Sequence, residues 1–183
     1  MKLYCYGDSN TYGYDPRGFW ESRYDPEDRW CDCLAAKTGW QVLNFGENGR
    51  CIPASPREYA ALAASLREAE PDSLVIFLGS NDLLLGLSPE EAGSRMEALV
   101  SALGADFPAL ALTLIAPPRI RIPGEGIQEA LKALWERYAA LARDRNLTYV
   151  QTQALALSPD GVHLSPEGHR MLCDLLALTL RRG

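Results

Sequence analysis

Four short clusters of reactive or hydrogen-bonding residues recur along this sequence, each just after an apolar run or a turn. They are Gly7-Asp8-Ser9-Asn10-Thr11-Tyr12-Gly13, Gly46-Glu47-Asn48-Gly49-Arg50, Gly79-Ser80-Asn81-Asp82 and Ser158-Pro159-Asp160-Gly161-Val162-His163. Hydrolysis of an acyl bond by a hydroxyl needs a nucleophile, a base to deprotonate it, a group to orient the base and donors aimed at the developing oxyanion. The clusters supply each type. Ser9, flanked by Gly7 and a turn, presents a hydroxyl at a strand end. His163 is one of two histidines, and Asp160 precedes it by three residues. A D-x-x-H turn sets the carboxylate against one ring nitrogen and leaves the other for Ser9, fixing the tautomer that accepts the proton. Asn81 offers a side-chain NH2, and the backbone amides of Ser9 and Gly49 offer two further donors; glycine at 49 permits close backbone approach. Each cluster alone is an ordinary turn or cap. Their conjunction in order along one chain is what points to acyl chemistry.

Such residues act together only if the fold gathers them. Apolar runs at 2–6, 41–45, 73–78, 110–116 and 147–151 predict five strands, near-continuously hydrophobic and so covered on both faces. Between them, Ser55-Pro56-Arg57-Glu58 and Ser88-Pro89-Glu90-Glu91 each place Ser at N-cap, Pro at the first helical position and Glu at N3. Ser165-Pro166-Glu167-Gly168 has the first two features without the third. Over 124–145, Ile127, Leu131, Leu134, Tyr138 and Leu141 form one apolar stripe, and Leu172, Leu175, Leu176 and Thr179 do so over 165–182. A first helix is expected near 27–38. This alternation predicts a single α/β domain over 1–183, with a five-stranded parallel sheet, helices on both faces and strand order 2-1-3-4-5. In such a sheet ligands bind outside the carboxyl ends of the strands, where the four clusters fall.

Composition narrows the classes. Twenty-four acidic against eighteen basic residues give a net charge of −6, which offers no electrostatic footprint for nucleic acid or anionic lipid. No window reaches the length of a membrane span, and the apolar run before Gly7 is too short for a signal segment, so a soluble cytoplasmic protein is expected. Cys5, Cys31, Cys33, Cys51 and Cys173 lack zinc or redox-pair spacing and are read as reduced thiols. No metal or organic cofactor is predicted. A nucleotide-binding domain would want G-x-G-x-x-G after the first strand, and the Gly7–Gly13 cluster lacks it. Phosphoryl transfer through Asp8 has no companion lysine motif or acidic metal pair.

Gly7-Asp8-Ser9, Asn44-x-Gly46-x-x-Gly49, Gly79-x-Asn81-Asp82 and Asp160-x-x-His163 together resemble the four sequence blocks of the SGNH, or GDSL-type, hydrolases. The resemblance spans residues 7–163. It implies the flavodoxin-like, three-layer α/β/α sandwich of that family, Ser9 as nucleophile, His163 and Asp160 as base and orienter, and an oxyanion hole of the Ser9 amide, the Gly49 amide and the Asn81 side chain. The implied activity is a serine esterase on small to medium acyl esters, with no cofactor and a small-molecule ester as partner. Thioesterase, lysophospholipase and carbohydrate acetylesterase chemistry would use the same machinery, and a non-catalytic ligand-binding module is the alternative from another class. One departure is Asn10, where the family commonly has Leu; it is expected to bring a polar group into the pocket. Asn48-Gly49-Arg50, Asp28-Arg29-Trp30 and Ile115-Ala116-Pro117-Pro118 are similar to the arylesterase and acyltransferase branch. Candidate pocket residues are Asn10, Trp20 from the aromatic stretch 14–26, Leu83 from the apolar run 83–87, and Pro118. Arg119 and Arg121 read as solvated loop charges, and His169 as a surface or outer residue.

Overall fold

The structure, a computed structural model, describes residues 1–19, 22–122 and 126–180. Five parallel strands, β1 (Lys2–Gly7), β2 (Gln41–Gly46), β3 (Ser73–Phe77), β4 (Ala111–Ile115) and β5 (Thr148–Val150), lie in the order β2-β1-β3-β4-β5. Every predicted strand is present within a residue or two, and the order is the one expected. The helices are α1 (Ser9–Tyr12), α2 (Trp30–Thr38), α3 (Pro56–Ala69), α4 (Ser80–Leu84), α5 (Pro89–Asp106), α6 (Ile127–Asp144) and α7 (Pro166–Thr179).

Side chains alternate across a strand, so successive residues feed two separate cores. Tyr4, Leu74, Ile76 and Leu114 pack under α3, α5 and α6, against Leu66, Met96, Leu103, Leu134 and Tyr138. Leu3, Cys5, Val75, Phe77 and Ile115 pack on the other face under α2 and α7, against Trp30, Leu34, Leu172 and Leu176. The result is a helix layer on each side of one sheet, the three-layer α/β/α sandwich.

The caps follow the sequence. Ser55 and Ser88 each accept from the N3 amide while Glu58 and Glu91 reach back to the cap, completing two capping boxes. Ser165 caps α7 alone, and the glycine at N3 has a steric reason: a Cβ on Gly168 would stand 2.0 Å from the Ala156 carbonyl oxygen. The helix expected over 27–38 is interrupted. A 3-10 turn at Pro26–Asp28 is followed by an extended Arg29, and α2 starts only at Trp30. Helices α1 and α4 carry no sequence forecast, since four or five residues barely complete one turn and show no periodicity. Among the described residues, no helix is long and apolar enough to cross a membrane. All five cysteines are free thiols.

Candidate active site

β1 ends at Gly7, whose lack of a side chain is a packing requirement: a Cβ there would sit 2.1 Å from Thr11 Oγ1 and 2.8 Å from the Phe77 carbonyl oxygen. The chain turns at once into α1, where Asp8 is the N-cap and accepts from the Asn10 amide at 2.9 Å. Ser9 is the first residue of that helix, 8% exposed. Its Oγ lies 3.0 Å from His163 Nε2, and His163 Nδ1 lies 2.5 Å from Asp160 Oδ2. Asp160 is itself held by backbone: its Oδ1 accepts from the amides of Val162 and His163, both at 3.1 Å. Burial pushes its carboxyl upward, but the hydrogen bonds from the His163 ring and those two amides outweigh it and hold the group below the usual range. Gly161 completes this turn at φ +72°, with its α-carbon against the Arg121 carbonyl.

The loop after β2 is tied to the same strand end. The Glu47 amide donates to the Gly7 carbonyl at 3.1 Å, and Arg50 Nη1 donates to it at 3.0 Å. Gly49 adopts φ +77° with open space around it, so its glycine answers a backbone conformation rather than crowding. From α4, Asn81 Nδ2 donates one hydrogen to the Arg50 carbonyl at 2.9 Å. Its second amide hydrogen is not needed for that bond. The neighbouring Asp82, fully buried, accepts from the Ile52 amide at 3.1 Å and faces Arg95 Nη1 at 3.6 Å. Two consecutive α4 residues thus hold the Gly49 loop. Burial raises the Asp82 carboxyl, and it raises Asp8 to about 7, with the nearby Asp82 charge adding to the effect.

The structure brings Ser9, His163 and Asp160 into one hydrogen-bonded chain and ties the Gly49 and Asn81 segments to the strand end beside Ser9. The expected pocket residues behave differently. Asn10 is 2% exposed and turned into the body, its Oδ1 accepting from the Leu164 amide, so it brings no polar group into the pocket. Leu83 joins the core, because its face of α4 packs against α5 and α6, while Leu85 of the same run is exposed. Pro118 is buried. Trp20 lies outside the described residues. Of the two readings of His169, surface or outer residue, burial excludes the first: its Nδ1 accepts from the Trp30 amide at 3.4 Å, and burial pushes its pKa down to about 3.

Other contacts had no individual sequence signal. Within the aromatic stretch after Ser9, the Tyr14 ring packs on His163 with centroids 4.8 Å apart, and Tyr24 hydrogen-bonds Ser158 at 2.7 Å, at the base of the His163 turn. A groove of about 540 Å³ opens beside Gly49 between β2 and α3, floored by Tyr6 and Phe45 and edged by Arg50 and Glu47. Among the described residues, no group of three His, Cys, Asp or Glu is placed to hold a metal ion.

Residues 5–171 match the model of the GDSL-like lipase/acylhydrolase family. The M. smegmatis aryl esterase structure superposes with a TM-score of 0.83 at 25% identity, covering 99% of this chain and 98% of that one. A carbohydrate acetylesterase family member from Sinorhizobium meliloti superposes with a TM-score of 0.85 at 26% identity, covering 100% of this chain and 98% of that one. No curated protein sequence matches the chain.

Proposed function

The chain belongs to the GDSL-like lipase/acylhydrolase family, and from that premise we propose that it is a serine esterase acting on small to medium acyl esters, with Ser9 as nucleophile. The observation that carries this reading is the continuous chain Ser9 Oγ, His163 Nε2, His163 Nδ1, Asp160 Oδ2 at 3.0 and 2.5 Å. His163 takes the Ser9 proton as Oγ attacks the ester carbonyl, and Asp160 holds the ring in the tautomer that can accept it. The oxyanion is met by the Ser9 amide, the Gly49 amide and the Asn81 hydrogen not committed to Arg50. Collapse expels the alcohol, which His163 protonates, leaving an ester on Ser9. Water, deprotonated by His163, then adds to that ester, and collapse releases the acid as His163 returns the proton to Ser9 Oγ; an alcohol in place of water yields acyl transfer. The aryl esterase and carbohydrate acetylesterase structures among the neighbours favour aryl or sugar acetates as first substrates.

The test is release of p-nitrophenol from esters of increasing acyl length by the unsubstituted protein and its variants. Ser9→Ala is expected to abolish turnover with the fold intact, and His163→Ala to lower kcat by roughly 10³-fold or more. Asn81→Ala is expected to lower it by roughly 10²–10³. Substantial turnover by Ser9→Ala sinks the assignment.

A further inference from the structure

Asn10 links the two halves of the catalytic pair. The turn that carries His163 is shaped largely by its own bonds: Leu157 and Leu164 form an antiparallel bridge, flanked by Ser158 N to His163 O at 2.8 Å and Ser165 N to Ala156 O at 3.0 Å. These bonds fix the form of the turn and say nothing about where it stands relative to Ser9. In that bridge the Leu164 amide points away from its partner segment, toward α1, and donates to Asn10 Oδ1 at 2.8 Å. Two links therefore run side by side between adjacent residues: Ser9 to His163, and Asn10 to Leu164. The turn has further ties: Tyr24, whose amide donates to the Gly13 carbonyl at the C-cap of α1, hydrogen-bonds Ser158 at 2.7 Å, the Tyr14 ring beyond that cap packs on His163, and the Arg121 amide donates to the Gly161 carbonyl at 2.6 Å. Of the bonds named, Ser9 to His163 and Asn10 to Leu164 are the ones that start within α1 itself.

Asn10 is itself immobilised. It is 2% exposed, its amide donates to Asp8, and its carbonyl accepts from the Trp30 indole at 3.0 Å. We propose that Asn10 is a positioning residue that sets His163 at hydrogen-bonding distance from Ser9 by holding the Leu164 amide. The proposal rests on the esterase reading above. A Leu at this position, the common choice at the matching place of the first block, would leave the Leu164 amide without its partner, and a buried unpaired N–H makes the turn move to satisfy it. A displacement of about an ångström at the base is enough to slow proton transfer by about tenfold to a hundredfold while leaving substrate binding alone.

The experiment compares Asn10→Leu, Asn10→Ala and Asn10→Asp with the unsubstituted protein, using p-nitrophenyl acetate, with Ser9→Ala as control. Asn10→Leu and Asn10→Ala are expected to lose about tenfold or more in kcat with KM changed by less than about twofold. Asn10→Asp keeps an oxygen for the Leu164 amide and is expected to recover kcat to within about threefold. Without substrate, NMR is expected to show faster hydrogen exchange at the Leu164 amide in Asn10→Leu, and a displaced His163 imidazole N–H resonance. Asn10→Leu retaining kcat, Asn10→Asp faring no better than Asn10→Leu, or an unchanged Leu164 exchange rate would each overturn the proposal. If Ser9→Ala hydrolyses the ester as well as the unsubstituted protein, the esterase reading falls; the two NMR measurements still decide whether Asn10 places the turn.

Discussion

Asp8 caps the helix that Ser9 opens, and its titration sets a pH dependence that belongs to one residue. Burial, with the Asp82 charge adding to it, lifts its carboxyl from 3.8 to about 7, so the folded protein holds a proton that the unfolded chain has released. The stability this confers is complete below about pH 4, is lost as pH rises through the window to 7, and changes no further above it. Asp8→Asn keeps an acceptor for the Asn10 amide and removes the titration. Its stability relative to the unsubstituted protein is expected to climb between pH 4 and 7, by at most about 1.4 kcal/mol per pH unit, and then to level off. Urea unfolding at unit pH steps measures this, and a difference that does not vary with pH contradicts it. That Ser9, His163 and Asp160 meet could be read from the sequence because residue type and spacing suggest such a hydrogen-bonded chain. Asn10 was visible and misplaced, since nothing local tells whether an amide beside a nucleophile faces solvent or a backbone N–H 154 residues away.

At the scale of elements, α1 depends on a contact with β2. A Cβ on Gly46 would stand 2.0 Å from Tyr12 N and 2.5 Å from Thr11 C, backbone atoms that can yield only if α1 moves. Gly46→Ala is expected to cost about 1–3 kcal/mol and to lower kcat with it, because α1 carries Ser9. Gly39 caps α2 at φ +72° with nothing within 4 Å of a Cβ. Gly39→Ala is expected to cost about 1 kcal/mol in backbone strain and leave kcat unchanged. Thermal melts paired with ester turnover separate the two; equal kcat losses would refute the distinction. The long helices were legible because Ser-Pro-x-Glu starts and apolar stripes repeat over several turns. Helices α1 and α4 were not, because Asp8 capping and a glycine at φ +121° form them within a single turn. The break at Arg29 was hidden for a related reason: Pro26 suits a helix start, and only packing reveals that the first turn stops.

In the whole molecule, two cores share one sheet, so neither face can melt while the other persists. Leu172→Ala, which empties a fully buried site under α7, is expected to cost about 2–5 kcal/mol. It should lower the thermal midpoint equally by tryptophan fluorescence and by far-ultraviolet circular dichroism. Two separated transitions would contradict a single cooperative unit. The alternation of strands and helices was readable from period and run length; the sheet order, though it agrees with the one expected, is not carried by either. The pocket walls were not: Leu83 and Pro118 look apolar and available in sequence, and the structure spends both on the interior. The link between Ser9 and His163 spans 154 positions, and His163 lies on the last turn before α7. During synthesis Ser9 therefore emerges from the ribosome well before the His163 turn, and on the proposed function it waits without its base until that turn has followed. On the proposed function, a nascent or prematurely terminated chain that lacks this turn carries Ser9 without the means to activate it, so hydrolysis is expected to begin only when the fold can close.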